Sequence, residues 1–386
     1  MLSDAVENGK MKQKELLVIL IIFIVSVSGC APVRHAVPEP LILKATLPGM
    51  PGNIRVFEED FTPTVKQNPK DSNDYSLLAL SGGGASGAFG AGVLCGWTKT
   101  ETRPKFQVVT GISTGALIAP LAFIGPECDE ELKQIYTTIK PKDIFNVNGL
   151  FGVLGILYGE SYADTKPLSL LIAKTMTQEK IDVIAQEYAK GRRLYVGTTY
   201  LDAQRFVIWD MGAIAASKNP HAAEIFRKVL LASAAFPGLF PPVCFDVEAD
   251  GKKYDEMHVD GGTITGVFSH FKSFRVAGQM PYKLSNIYVI KNGRVAAEYK
   301  QVKRNSLKIL NHSFLTLMKT QTWNDLYRIY DLAKDDKIGF SYMCIPSDYV
   351  TESTKMFDPV EMKRLFDMGF EMGKAGDKWQ KTVAIK

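Results

Sequence analysis

The sequence predicts an α/β domain, a three-layer α/β/α sandwich around a mostly parallel β-sheet. Short apolar runs that end in glycine-rich turns alternate along the chain with longer stretches of helical periodicity. Strands that alternate with helices form parallel sheets with helices packed on both faces. The chain is also long and apolar enough to form one large core, since 46% of its 386 residues are hydrophobic.

The predicted elements follow one another in the order that such a fold requires. Residues 76–80 form an apolar run typical of a buried parallel strand, and a helix rich in small residues follows at 85–97. The second strand is predicted at 106–109, with a helix at 116–123. The later elements are a strand pair at 194–199 and 206–209, a helix at 222–234, a strand at 286–290, and helices at 306–332 and 359–373.

The N-terminus has the pattern of a secretory signal peptide. Lys12 and Lys14 precede an apolar run at 16–25, which is shorter than the about 20 apolar residues that a membrane span needs. Small residues then lead to Cys30, in a sequence that resembles the lipobox of bacterial lipoproteins. That resemblance implies that Cys30 is lipidated and anchors the protein to a membrane of the bacterial cell envelope. A plain signal peptide or a signal anchor is the alternative.

These patterns divide the chain into three parts. Residues 1–30 are the signal peptide with its lipobox, and residues 31–74, rich in proline and polar residues, are expected to be a tether and an irregular lead-in. Residues 75–386 are expected to form a single domain. The net charge of +5 comes without a dense basic block, which argues against a nucleic-acid partner.

The other four cysteines match no zinc-binding spacing, so no metal site is expected from them. Cys95 and Cys244 lie in apolar contexts and are expected to be buried thiols. An exported location permits disulfides, but four scattered cysteines, including Cys128 and Cys344, do not require them.

A glycine-rich loop separates the first strand from the first helix. Its residues Gly82, Gly83, Gly84 and Gly87 allow positive φ angles, and a helix N-terminus offers free N–H groups to an anion. The loop formally satisfies the G-x-G-x-x-G pattern of dinucleotide sites, but the next strand ends without the acidic residue that those sites use. No Gly-Lys-Ser/Thr sequence follows, which argues against a P-loop. By itself the loop is also compatible with tight strand–helix packing.

Ser113 lies between Gly111 and Gly115 in a G-x-S-x-G motif that directly follows the second strand and precedes a helix. This is the strand–turn–helix context of a nucleophile elbow, in which a sharply turned serine presents its hydroxyl at the carboxyl edge of the sheet. Ser113 is therefore the candidate nucleophile. The alternative is a serine that only caps the helix.

A serine hydroxyl needs a base, and the histidines lie in unsuitable contexts. The histidines are His35, His221, His258, His270 and His312. Asp260 is better placed, because a short apolar approach ends there and Gly261 and Gly262 keep the carboxylate accessible at a strand end. His258 shares a strand face with Asp260 and is expected to support it, and a triad that includes His258 is the alternative. An ordinary Asp-Gly turn is the alternative for this motif.

The glycine-rich loop, the G-x-S-x-G motif and the Asp-Gly-Gly motif resemble, in this order, the patatin-like phospholipase family. Residues 232–237 and 240–243 resemble the segment that precedes the aspartate in that family, and residues 357–373 resemble its final helix. The resemblance spans roughly residues 75–379.

The resemblance implies the chemistry of the site. Ser113 would be the nucleophile and Asp260 its base in a dyad without histidine, and the N–H groups of Gly82, Gly83 and Gly84 would form the oxyanion hole. Losing one such donor typically lowers the rate by about 10²–10³. The other motif glycines are Gly87, Gly111, Gly115, Gly261 and Gly262.

The implied activity is hydrolysis of lipid esters, with a lipid ester as substrate, a membrane bound through Cys30, and no cofactor or metal. Ser86 stands where the family often has Arg or Lys, so ester hydrolysis is better supported than a preference for phospholipids. Acyl transfer by the same dyad and a non-catalytic surface lipoprotein of the same fold are the alternatives. Residues 150–158 are apolar with two glycines, which fits either a buried connection or a mobile flap over the acyl chain.

Overall fold

The structure is a computed structural model that describes residues 34–52, 54–60, 75–146, 161–269, 284–353 and 355–383. Three features considered in the sequence lie outside these residues. They are the signal peptide with Cys30, the apolar segment 150–158, and His270.

The apolar runs form the strands of one mixed β-sheet, which has nine strands in the described part of the chain. In chain order they are β1 (Arg55–Phe57), β2 (Tyr75–Leu80), β3 (Val108–Gly111), β4 (Arg193–Tyr200), β5 (Arg205–Asp210), β6 (Val243–Ala249), β7 (Lys252–Asp260), β8 (Leu284–Lys291) and β9 (Gly339–Cys344). The order across the sheet is β1-β5-β4-β3-β2-β8-β9, and the β6–β7 hairpin joins it where β7 pairs with β4. The run from β4 to β9 is parallel, whereas β1, β5 and the hairpin pair in antiparallel fashion.

Helices connect most of the strands. They are α1 (Gly87–Thr98), α2 (Thr114–Ile124), α3 (Asp129–Thr138), α4 (Pro141–Ile144), α5 (Lys166–Thr175), α6 (Gln178–Ala189), α7 (Met211–Ala215), α8 (Ala222–Ser233), α9 (Ser306–Asp335) and α10 (Pro359–Ala375). Short 3₁₀ turns lie at Glu39–Leu41, Glu58–Asp60, Gly84–Ser86, Pro126–Cys128 and Gly261–Thr263.

Helices cover both faces of the sheet. On one face the larger apolar core includes Phe89 of α1, Phe123 of α2 and Phe226 of α8. On the other face Leu326 and Ile329 of α9 belong to a second core with the strand residues beneath them. The predicted α/β sandwich is confirmed, with the parallel strands at its centre and the antiparallel pairs on one side.

Helix α1 is rich in glycine because it packs closely against α10. A Cβ atom at Gly92 would overlap the backbone carbonyl of Phe366, and one at Gly369 would overlap the carbonyl of Phe89. The small residues that mark this helix in the sequence therefore have a packing role. The same contact holds the helix that begins at the glycine-rich loop.

The described part of the expected tether packs against the domain. Arg34 forms ion pairs with Asp202 and Asp255, with N–O distances of 2.8 and 2.6 Å. Strand β1 adds an antiparallel edge to β5, and Phe57 within it is buried. The sequence did not predict this strand because three residues are too few to show a period.

Cys244 is exposed, whereas Cys95 is buried as expected. Strand β6 alternates inward and outward side chains, with Phe245 and Val247 buried, so Cys244 falls on the outer face. The prediction of a buried thiol at Cys244 is therefore wrong. Among the described residues, no helix has the length and apolar character that crossing a membrane requires.

Candidate active site

The sharp turn at Ser113 is the centre of the site. It lies between the end of β3 and the start of α2, with φ and ψ of 55° and −126°. A non-glycine residue with such a positive φ carries strain of about 1–3 kcal/mol, which is common where a side chain has a function. Gly111 and Gly115 are needed on either side, because a Cβ atom at either would overlap main-chain atoms.

Ser233, at the end of α8, fixes the backbone of this turn. The Ser113 N–H donates to Ser233 Oγ over 3.0 Å, and the Ser233 hydroxyl donates to the Gly197 carbonyl of β4 over 2.7 Å. Ser233 is fully buried. Its position in the segment 232–237 was the only signal for it, since no local pattern assigns it a role.

Asp260 ends β7 and is buried beside the serine turn. Its Oδ1 accepts the Gly262 N–H over 2.8 Å. Burial raises the pKa of Asp260 to about 6, and the nearby Ser113 hydroxyl and the Gly262 N–H partly oppose that increase. Oδ2 has no partner in regular hydrogen-bond geometry among the described residues, so it is the oxygen available to take a proton.

The remaining motif glycines allow close packing around these two side chains. A Cβ atom at Gly87 would overlap the side chain of Thr114, the residue after Ser113. A Cβ at Gly261 would approach the Gly197 carbonyl at 2.5 Å. The three sequence motifs therefore meet at one edge of the sheet.

The glycine-rich loop is held in place by Asn292, which follows β8. The Asn292 side-chain amide donates to the Ser81 carbonyl over 2.7 Å, and its backbone N–H donates to Ser81 Oγ over 2.9 Å. Gly83 passes so close to this residue that a Cβ atom would overlap the Asn292 carbonyl. Asn292 lies 211 residues from Ser81 in the chain, which is why no local pattern predicts it.

Gly83 and Gly84 carry the unengaged N–H groups of this loop. Neither group has an acceptor among the described residues, and Gly83 is exposed. Gly82 differs, because its N–H donates to the Gly266 carbonyl over 3.2 Å. The geometry therefore favours Gly83 and Gly84 over Gly82 as donors to an anion.

His258 is fully buried and is engaged elsewhere. Its Nδ1 lies 2.9 Å from Thr198 Oγ1, and its ring stacks on Tyr200 with centroids 5.3 Å apart. Burial lowers the pKa of His258, and the neighbouring Glu256 carboxylate partly opposes that decrease. Its side-chain hydrogen-bond partners in the described structure are Thr198 and Glu256, so a substitution there would test packing rather than proton transfer.

An apolar pocket opens next to the serine turn. It touches Gly84 of the loop and Thr114, and its free volume is about 60 Å³, or about 580 Å³ when the open space at its mouth is included. Leu117 and Leu171 line it, together with apolar side chains of α3 and α5 and the buried Tyr136. These walls fit a hydrocarbon chain. No group of three His, Cys, Asp or Glu residues that could hold a metal occurs in the described ranges.

A family model covers the part of the chain that carries this site. Residues 78–268, which include Ser113 and Asp260, match the family model for patatin-like phospholipase. No curated protein sequence matches the chain.

Two solved structures are similar in fold. VipD from Legionella pneumophila aligns with a TM-score of 0.38 and 11% identity, over 84% of this chain and 73% of VipD. The type III effector protein ExoU aligns with a TM-score of 0.30 and 11% identity, over 78% of this chain and 53% of ExoU. On the family match, the chain belongs to the patatin-like phospholipase family, which places it among the lipid hydrolases.

Proposed function

We propose that the protein hydrolyses carboxylic esters of lipids with Ser113 as nucleophile and Asp260 as its base. The observation that carries this proposal is the strained serine turn beside a buried carboxylate whose Oδ2 is unpartnered in the described structure. An apolar pocket begins at the residue after the serine, which suits a fatty acyl chain.

Each step of the reaction combines one proton transfer with the formation or breaking of one bond. Ser113 Oγ attacks the ester carbonyl carbon while its proton passes to Asp260 Oδ2. The C–O bond to the leaving group then breaks, and the leaving alkoxide takes that proton. Water next attacks the acyl carbon and gives its proton to Asp260. The bond between the acyl carbon and Ser113 Oγ then breaks, the fatty acid is released, and Ser113 Oγ takes the proton from Asp260. A carboxyl group whose pKa is about 6 can serve as both acceptor and donor near neutral pH.

The tetrahedral intermediate needs hydrogen-bond donors for its oxyanion. We assign this role to the N–H groups of Gly83 and Gly84 at the start of the 3₁₀ turn that leads into α1. Gly82 fits the role less well, since its N–H is already bonded to Gly266. Asn292 would act as a positioning residue, because it holds the loop through Ser81.

Incubation of the protein with phospholipid vesicles of defined acyl chains tests the proposal. Mass spectrometry should detect free fatty acid and lysophospholipid, and the Ser113→Ala variant should release neither. Adding a long-chain alcohol distinguishes the alternative reaction. If acyl esters of the alcohol form while little fatty acid appears, the protein is an acyltransferase.

The pocket should control the preference for acyl-chain length. Leu171 lines the pocket and is half-buried, so Leu171→Trp would fill part of the space without adding a polar group. We expect the ratio of kcat/KM for a 16-carbon ester to that for a 4-carbon ester to fall about tenfold or more. Hydrolysis of p-nitrophenyl esters of both lengths measures that ratio.

Leu170 supplies the matched control for this variant. It is the preceding residue on α5 and is 63% exposed, so Leu170→Trp should leave the ratio unchanged. If both tryptophan variants change the ratio equally, or Leu171→Trp slows both esters by the same factor, the pocket does not hold the acyl chain.

We further propose that Cys30 is lipidated and holds the enzyme at a membrane of the cell envelope. The support is the order of basic residues, apolar run, small residues and cysteine in the sequence. Cells that express the Cys30→Ser variant should incorporate no radiolabelled fatty acid into the protein. Equal incorporation into wild type and variant would mean that the anchor is elsewhere or absent.

A further inference from the structure

The N-terminal half of α9 exposes apolar side chains that a soluble surface helix would normally bury. Ile309 is 50% exposed, Leu310 68%, Leu315 45% and Leu317 68%. The C-terminal half behaves differently, since Leu326 and Ile329 pack in the core. Several exposed apolar side chains on one half-helix usually mark a surface that another molecule covers.

The chain around this half-helix is rich in positive charge. From Tyr299 to Asn324 there are five Lys or Arg residues and no Asp or Glu. The five are Lys300, Lys303, Arg304, Lys308 and Lys319, of which Lys319 forms an ion pair with Glu298 at an N–O distance of 2.6 Å. Tyr299, just before the helix, is 97% exposed. Exposed leucines combined with clustered cations and an adjacent aromatic ring are the features with which proteins bind anionic bilayer surfaces.

This surface is continuous with the candidate active site. The Met318 methyl group lies 2.8 Å from where a Cβ atom of Gly262 would stand, two residues after Asp260. The ring of Phe314 packs on that of Phe236, with centroids 5.5 Å apart. Phe236 immediately follows Ala235, whose carbonyl accepts the Asp260 N–H over 2.9 Å.

The C-terminal half of α9 is linked to the glycine-rich loop through Gly266. Asp325 Oδ2 accepts the Gly266 N–H over 2.8 Å, and the Gly266 carbonyl accepts the N–H of Gly82. A molecule that covers the exposed leucines would therefore lie beside the serine and its base.

We propose that the N-terminal half of α9 is a docking surface for an anionic lipid bilayer. The α9 docking surface consists of Ile309, Leu310, Leu315 and Leu317, with Lys300, Lys303, Arg304 and Lys308 directly before them in the chain. Its leucines insert among the lipid chains while the cations contact anionic head groups. The proposal deepens the proposed function, since the bilayer that binds here would hold the lipid esters that the site cleaves.

A fluorescent label on the helix tests the proposal without any need for catalysis. The full chain would carry Ser113→Ala, Cys30→Ser and Cys244→Ser, so that Leu317→Cys is the accessible thiol for an environment-sensitive dye. Adding vesicles with about a third phosphatidylglycerol should shift the emission to shorter wavelength and increase its intensity. The same dye on Leu43→Cys, at a side chain 71% exposed in the N-terminal segment, should not respond.

Charge removal provides the second arm. Combining Lys303→Gln, Arg304→Gln and Lys308→Gln should weaken the vesicle response roughly tenfold or more. High salt should weaken it as well, and neutral phosphatidylcholine vesicles should bind much less.

Several results would overturn the proposal. They are no response of the Leu317 dye, an equal response of the Leu43 dye, or an equal response to neutral vesicles. If the Leu317 dye already emits at short wavelength before vesicles are added, the chain itself or a second copy covers the surface. Because every dye-labelled variant carries Ser113→Ala, none of these results depends on whether the protein is an esterase.

The exposed leucines also permit a test of activity. Leu310→Ser combined with Leu317→Ser should lower the rate on anionic vesicles at least about tenfold and leave the rate on a short soluble ester unchanged. An equal loss on both substrates would show that the leucines support the site and do not dock a bilayer.

Discussion

Replacing Ser113 with alanine is expected to abolish ester hydrolysis, with a fall in kcat of about 10⁴ or more. Asp260 cannot compensate, because without the serine hydroxyl no acyl-enzyme forms. Initial rates on a short soluble ester measure the loss. Labelling with a fluorophosphonate probe, which reacts with activated serines, should stop in the same variant.

The variant should remain folded, and a second variant at this position tests the geometry. Ser113 has a φ of 55°, which strains alanine about as much as serine but does not strain glycine. Ser113→Gly should therefore be equally inactive but more stable than Ser113→Ala by about 1 kcal/mol. Chemical denaturation of the two variants measures that difference.

Ser86→Ala is the control, because Ser86 lies in the 3₁₀ turn of the glycine-rich loop and not in the turn of Ser113. It should retain both probe labelling and activity, because the loop donors are backbone groups. Activity near that of wild type in Ser113→Ala, with a normal circular dichroism spectrum, would falsify the assignment of the nucleophile.

The strands and helices that carry the three motifs could be predicted because each has a clear pattern in its own local sequence. The run at β2 is apolar throughout and ends at glycines, and the structure buries its residues from Ser76 to Leu80. The predicted helix at 222–234 is observed at Ala222–Ser233. Where local composition and tertiary burial agree in this way, the sequence is sufficient.

The β6–β7 hairpin was missed although its turn has a signal. Asp250 and Gly251 have φ angles of 47° and 74°, as a two-residue type I′ turn requires, and Asp-Gly is a preferred sequence for that turn. Strands β6 and β7 on either side of this turn carry many charged residues. These residues obscure the alternation of buried and exposed side chains in β6. A test for period two around each Asp-Gly pair would have found it.

Ser233 and Asn292 could not be predicted by any local test. Ser233 bonds Ser113 from 120 residues away, and Asn292 bonds Ser81 from 211 residues away. Asn292 follows β8, and the residues after parallel strands meet at one edge of the sheet. Ser233 reaches the turn because α8 ends against Gly197 of β4. Single serine and asparagine residues carry no mark of that role in the sequence.

Asp260→Asn is expected to be nearly as damaging to activity as Ser113→Ala. The asparagine keeps the shape and an oxygen that can accept the Gly262 N–H, but its amide cannot take the serine proton. We expect kcat to fall about 10³-fold or more, by comparison with other bases of nucleophilic serines. Rates near those of wild type would mean that another group is the base.

The wild-type rate should depend on pH with the sign that Asp260 imposes. Since burial raises its pKa to about 6, the carboxylate form is lost as the pH falls through that value. Below pH 6 the rate should decline about tenfold for each pH unit, because only the carboxylate can accept the proton. The residual activity of Asp260→Asn should lack this decline.

As the pH rises, the stability of the folded protein should decrease while the rate of hydrolysis increases. An aspartate with a folded pKa of about 6 and an unfolded pKa near 3.9 binds protons more readily in the folded state, so stability falls as the pH rises from about 4 to 6. At pH 7 the buried charge then destabilises the protein by up to about 2–3 kcal/mol, and Asp260→Asn should recover part of this.

The pH dependence of stability alone cannot identify the base, since burial also raises the pKa values of Asp210 and Asp325 to about 6. The difference between wild type and Asp260→Asn isolates the contribution of Asp260. We expect the variant to be more stable at pH 7 and the difference to shrink towards pH 4, where Asp260 is protonated. A variant that is inactive but equally destabilised at both pH values would instead show that Asp260 only supports the packing of the turn.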